Sequence, residues 1–249
     1  MFFKTDGATI TIAKTGERYH TYDDLGLIIT NACSISEPEM NEAYIEIKGR
    51  NGLLDISEAL TGKATYKSRH ISVNLAGINE QRDWDVIISD LRNKFDGKLI
   101  NITFDNDISY YWTGRAHVVG FERDANCGRF VLDIPAADPY KYNVQEFNEA
   151  WLWDSFNFET DYVTEETEYT ITEHTEITLP AGTMPVSPTI IVTNINTFLT
   201  VQKYGDSRVI PLSLGENKIY AITVNDSSES ILMFEGNGKF SINYRGGSL

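Results

Sequence analysis

The residues in this chain whose types do chemistry are four histidines, two cysteines and a scatter of carboxylates. Their spacing assembles no reaction. A zinc site needs three or four converging His, Cys or carboxylate ligands. None of His20, His70, His117 and His174 has a second His or Cys at ligand spacing. His70 and His117 lie in strand-like runs, which predicts surface or hydrogen-bonded side chains. The run "DNDISYYW" places Asp105, Asp107 and Ser109 at alternate positions, like the opening of a calcium loop. Its sixth position is Tyr110 instead of glycine and its twelfth is Ala116 instead of glutamate, so it reads as a polar hairpin tip.

Nucleophile and phosphate motifs are missing too: there is no G-x-S-x-G elbow and no G-x-x-x-x-G-K-[ST] loop. "EGNGKF" is a turn with no helix after it, which rules out a phosphate cradle. Asp23–Asp24 and Glu165–Glu166 are adjacent, and strand neighbours point to opposite faces, so neither pair is a catalytic dyad. The sequence therefore predicts no catalytic, cofactor-binding or metal residue, no cofactor, and a protein that is not an enzyme. A cell-wall hydrolase stands third among the readings, resting only on carboxylates that converge from distant strands. The densest aromatic cluster is "WLWDSFNFE", with Trp151 and Trp153 two apart and Phe156 and Phe158 likewise. Aromatic faces of this kind stack on sugars, or pack as core or as a subunit contact. Trp151 and Trp153 are thus candidate sugar or partner contacts. They carry the alternative function, a carbohydrate-binding module or adhesin subunit of a host-recognition device.

The elements that would position these side chains are nearly all strands. "AYIEIKG", "HISVNLAG", "KLINITFDND" and "RFVLDIP" alternate with period two, as half-buried strands do. "DNDISYYW" leads into a strand expected over Ile108 to Trp112. One segment breaks the pattern. "RDWDVIISDLRNKFDG" has Trp84, Ile87, Ile88, Leu91 and Phe95 at helical spacing, Arg92 and Lys94 in the last turn, and Gly97 just beyond. These features predict one amphipathic helix, over about 82–96, packed on a sheet. "PAADPYKYN" closes the first half as an extended connection. Beyond it the composition shifts: residues 139–249 hold 6 Lys and Arg against 15 Asp and Glu. Strands are expected in "EYTITEHTEITL", "SPTIIVTN", "NKIYAITVN", "SILMFEG" and "KFSINYRG", with "EGNGKF" joining the last two as a hairpin. Short strands at regular spacing predict a β-sandwich or jelly roll.

Composition narrows the partners. The chain has 249 residues, is 41% hydrophobic and carries a net charge of -15. A surface this acidic does not grip nucleic acid, which needs clustered Lys and Arg. It does not exclude a strongly negative surface past which DNA slides without adhering. Two cysteines make no disulfide framework and fit a reducing cytosol. The N-terminal run "MFFKTDGATITIAK" is too polar for a signal peptide, and no stretch approaches a membrane span. Synthesis in the cytoplasm and no membrane insertion are expected.

From Tyr22 to Gly77 the sequence resembles the N-terminal domain of the distal tail (Dit) proteins of long non-contractile-tailed phages. The pattern runs through Gly26–Leu27, the acidic turn "SEPEMN", "GRNG" at Gly49–Gly52, "LDISEALTG" at Leu54–Gly62 and "YKSR" at Tyr66–Arg69. The lone helix, "ADPYKY" and the terminal "INYRGGSL" continue it. The resemblance implies a mainly β protein, all-β with one prominent helix, in two domains. Residues 1–138 would form a β-sandwich, tail-tube-like ring domain, and residues 139–249 a galectin-like or jelly-roll β-sandwich. It further implies a structural virion protein of the tail tip or baseplate. Six copies would form a homohexameric hub joining the tail tube protein to a tail-associated tip protein and to receptor-binding proteins. Genomic DNA would pass through the central channel as cargo only.

Under that resemblance the segment Asn51–Arg69 is an interface candidate. Asn51–Gly52 suits a tight turn, Ser57–Glu58 opens a short helical turn that Gly62 ends, and Lys63, Lys67 and Arg69 add positive charge to an acidic chain. Asn51, Asp55, Glu58, Lys63, Tyr66, Lys67 and Arg69 are the expected subunit-interface residues.

Overall fold

A computed structural model describes residues 7–30, 33–59, 62–78, 84–123, 127–144, 146–147 and 168–249. The protein is mainly β, with one helix and several antiparallel sheets among the described residues. It divides into two compact units, Met1–Asp107 with Tyr111–Pro139, and Ile108–Tyr110 with Tyr140–Leu249.

The first unit is a sandwich of two sheets. One sheet is built on β1 (Ala8–Ile12), which pairs with β2 (Arg18–His20) on one side and β8 (Leu99–Phe104) on the other. β9 (Tyr110–Arg115) pairs with β8, and the polar tip before it delays the strand from the expected Ile108 to Tyr110. The second sheet is centred on β7 (Arg69–Ile78), flanked by β11 (Cys127–Ala136) and by the short strands β3 (Ile28–Ile29) and β4 (Ser34–Ile35). β10 (His117–Arg123) completes it beside β11, with a register shift between Val119 and Glu122. Inward positions alternate along the strands, as the sequence pattern requires. Ile10, Ile100 and Ile102 of one sheet share a single core with Ile71, Val73, Phe130, Leu132 and Ile134 of the other.

Helix α1 (Trp84–Phe95) packs on this core through Trp84, Ile88, Leu91 and Phe95, while Ile87 is only partly buried. Its first turn is seated by two glycines. Gly77 and Gly128 are cross-strand partners. A Cβ on Gly77 would lie 2.2 Å from the Trp84 ring, and one on Gly128 2.4 Å from it. Two missing side chains opposite one another thus make the slot that receives the indole.

The second unit is built on two long strands, β15 (Thr189–Lys203) and β18 (Ser230–Asn243), paired antiparallel. Each strand serves two half-sheets. In one half, β17 (Gly215–Lys218) pairs with Thr189–Val192 and β13 (Tyr169–Ile171) with Gly238–Phe240. In the other, β16 (Ile210–Pro211) pairs with Thr200–Val201 and β14 (His174–Leu179) with Ser230–Glu235. Both halves feed one core, where Phe234 stacks on Phe240 with ring centroids 4.1 Å apart. The sheet therefore folds over on itself as a sandwich. β12 (Lys141–Asn143) pairs with β19 (Gly247–Ser248), tying the start of the unit to the chain end.

Three expectations are corrected here. "EGNGKF" is no hairpin, because β18 runs through it without reversing. Gly236 has φ +123°, and a Cβ there would sit 2.0 Å from the Phe198 carbonyl oxygen. A Cβ on Gly238 would sit 2.3 Å from the Asn194 carbonyl. These glycines let the two strands cross closely where both bend, at the register shifts between Val192 and Leu199. "EYTITEHTEITL" splits into β13 and β14, both against β18. "NKIYAITVN" is strand only at its start. Ile219, Ile222 and Val224 then reach the core from irregular chain.

Candidate assembly surface

The segment Asn51–Arg69 belongs to an arm on the first unit. β5 (Tyr44–Glu46) and β6 (Leu53–Asp55) form a two-stranded ribbon, with Ile45 opposite Leu54 and Glu46 opposite Leu53. Its turn uses Gly49 at φ +90° and Gly52 at φ +78°, conformations that side chains rarely take. The arm is rooted at its base. The Lys67 N–H donates to the Glu39 carbonyl at 2.8 Å and the Asn41 N–H to the Thr65 carbonyl at 2.8 Å. One step higher, the Ile56 N–H donates to Ala43 O, and the Ala43 N–H donates to Ser57 Oγ. The Ser57 hydroxyl and N–H both donate to Asp55 Oδ1, at 2.6 and 2.9 Å, and hold that carboxyl below the usual carboxylate range.

Above this clamp the ribbon is bare. Every residue from Asn41 through Leu53 is exposed. "AYIEIKG" therefore departs from the half-buried strand expected of it: Ile45 is 46% exposed, Ile47 41%, Tyr44 50% and Leu53 57%. Alternation gives a strand two faces; it does not supply a sheet to cover one of them. A lone two-stranded ribbon is marginal in water, and this one shows solvent apolar side chains on both faces. The glutamate before it acts on one of them: the Glu42 carboxylate, and to a lesser degree Asp55, pushes the Tyr44 phenol up from its ordinary value.

The residues singled out from the sequence take different places around this arm. Asn51 is in the turn at its tip and Asp55 is in the clamp. The Ala59 N–H donates to the Ile56 carbonyl and the Gly62 N–H to the Glu58 carbonyl, with Gly62 at φ +69°. Glu58 is exposed, and Lys63 and Tyr66 are half-buried, with Tyr66 bridged to Met40. Lys67 pairs with Glu39 at the root. Arg69 points inward instead. It is 9% exposed, its guanidinium stacks 4.6 Å from the Trp112 ring centre, and its Nε–H donates to the Ser36 carbonyl at 2.8 Å. Trp151 and Trp153 lie outside the described residues.

The polar clusters elsewhere serve the fold. His20 Nε2 lies 3.2 Å from the Asp105 carboxylate, and His20 Nδ1 accepts the Asp23 N–H at 3.2 Å. Asp105 also accepts the Gly7 N–H, which fixes the start of β1. His70 Nε2 meets Asp133 at 2.9 Å across β7 and β11. Among the described residues, no group of three or more His, Cys, Asp and Glu converges on a metal position. No described helix is long and apolar enough to cross a membrane.

The fold as a whole has a counterpart among solved phage proteins. The structure of SPP1 Dit (gp 19.1), titled a paradigm of hub adsorption apparatus in Gram-positive infecting phages, matches with a TM-score of 0.59. The match spans 96% of this chain and 98% of that chain, at 13% sequence identity. This chain has the Dit fold. No protein-family model matches it, and no curated protein does either. The likeness read from Tyr22–Gly77 thus holds at the level of the fold.

Proposed function

We propose that this protein is a distal tail protein of a long-tailed phage or a phage-derived particle, a structural component with no enzymatic role. In this reading six copies form a ring through the first unit. The ring joins the tail tube protein to the tail-associated tip protein and offers a platform for receptor-binding proteins. It leaves a channel for the genome, whose phosphates a chain of net charge -15 repels.

The Dit fold over nearly the full chain supports the reading, and the bare arm from Asn41 to Leu53 is the single observation that carries it. Fully burying an aliphatic side chain stabilises by about 1.5–3 kcal/mol. Ile45, Ile47 and Leu53 hold that stabilisation in reserve for a neighbour. Asn51, Asp55, Glu58, Lys63, Tyr66 and Lys67 border the same surface, whereas Arg69 acts by holding the arm's exit strand to Trp112. Negative-stain imaging of the purified protein tests the reading. Rings with six-fold symmetry and a central hole are expected; single globular particles at every concentration would contradict it.

A further inference from the structure

The first unit's β2–β1–β8–β9 sheet carries opposite charge at its two ends, and we propose that one end binds the other between successive copies of this chain. The inference rests on the ring reading and names a contact for it outside the arm.

Strand register places the groups. Ile12 pairs with Ile100, Thr11 with Arg18, and Leu99 with Arg115. Lys14, Arg18, Lys98 and Arg115 therefore gather at one end of the sheet. At the opposite end Ala8 pairs with Phe104 and Thr9 with His20, which gathers Asp23, Asp24, Asp105 and Asp107 around His20. Strands of this length hold the two ends about 17–20 Å apart.

The basic end is hollow. A cleft of about 490 Å³ is lined by Ile12, Lys14, Lys98, Leu99 and Arg115. Leu99 is 45% exposed on its wall. Arg115 donates to the Gly97 carbonyl, and among the described residues Lys14 and Lys98 have no carboxylate partner. The acids at this end are Glu17 and Asp96, and Asp96 already accepts the Val118 N–H at 3.0 Å and lies 3.8 Å from His117. Cations outnumber acids here, in a chain whose acids otherwise prevail.

The acidic end projects. Tyr22 is 54% exposed and sits directly before Asp23 and Asp24. Asp24 accepts the His20 N–H and Asp105 the Gly7 N–H, while the Asp23 side chain is 75% exposed despite its contact with His20. An aromatic knob flanked by carboxylates on one end thus complements an apolar-floored cleft flanked by ammonium and guanidinium groups on the other. The two patches differ, so the contact is heterologous, the kind that closes a ring. A two-fold dimer through either patch would set like charge against like.

Complementary charge reversal tests this on the full chain, read by light-scattering mass at low and high salt. Lys14→Glu with Lys98→Glu makes both ends acidic, and Asp23→Lys with Asp24→Lys and Asp107→Lys makes both basic. Each variant alone is expected to stay monomeric with an unchanged circular dichroism spectrum, and the equimolar mixture to recover assembly. Tyr22→Ala is expected to weaken assembly tenfold or more. Assembly of either reversal variant as in wild type, or a mixture that stays monomeric while wild type assembles, overturns the proposal and leaves the ring reading standing. Wild type that is itself monomeric under all conditions overturns both. If the acidic-end reversal does not fold, Asp23→Asn takes its place: it must weaken assembly at low salt and flatten the salt dependence, and an unchanged profile overturns the proposal.

Discussion

Arg69 shows how far a side chain's role depends on what the fold places beside it. In the sequence it is the last of three cations in an acidic protein, which suggests a partner outside the chain. In the structure its guanidinium lies over Trp112 and its Nε–H holds the Ser36 carbonyl. A desolvated cation–π contact and a charge-assisted hydrogen bond each contribute on the order of 1–3 kcal/mol. Arg69→Ala should therefore lower the stability of the monomer by about 2 kcal/mol in urea unfolding, at a protein concentration where no ring forms. An unchanged midpoint would return Arg69 to the interface. Lys67 differs, since its ion pair with Glu39 is exposed. Exposed pairs contribute little, so reversing Lys67 should leave the monomer folded.

At the scale of elements, the helix was legible because its signal is local. Trp84, Ile88, Leu91 and Phe95 repeat at helical spacing, and Gly97 stops the run at φ +73°. What the sequence did not disclose was the slot. Gly77 and Gly128 are far apart in the chain and meet only through strand register. Either one gaining a methyl group must push Trp84 out or strain its rotamer, and overpacking of this kind costs about 1–3 kcal/mol. Gly128→Ala should lose that much stability in chemical denaturation, and Trp84→Leu in the same background should recover part of it by vacating the slot. If the two substitutions add as independent losses, the slot is not what seats the helix. The failures are physical as well. Gly-Asn-Gly reads as a hairpin turn because the same backbone freedom serves a sharp reversal and a close crossing of two continuous strands. The register of β15 against β18, fixed by residues some forty positions away, decides between them. Alternation in "AYIEIKG" gave the strand but not its exposure, because period two says nothing about what covers a face. Replacing residues 43–56 by a short Gly-Ser turn should leave a folded monomer with an unchanged melting temperature and no assembly. A large drop in melting temperature would show that the arm belongs to the fold of its own chain.

For the whole molecule, two sandwiches of ordinary size each bury a core of their own. Neither core explains the bare arm or the opposed charges at the ends of one sheet. The Dit fold and these two surfaces find a common account in a molecule made to be assembled. On the proposed reading its acidity would suit a channel for the genome, and the described histidine rings each lie against a carboxylate. The most direct test is the molar mass of the intact chain in solution, by light scattering across a hundredfold concentration range at moderate salt. Six copies of a 28.1 kDa chain give a species of about 170 kDa, and that closed ring should appear without larger polymers. A mass of 28.1 kDa that persists to the highest concentration would contradict the account.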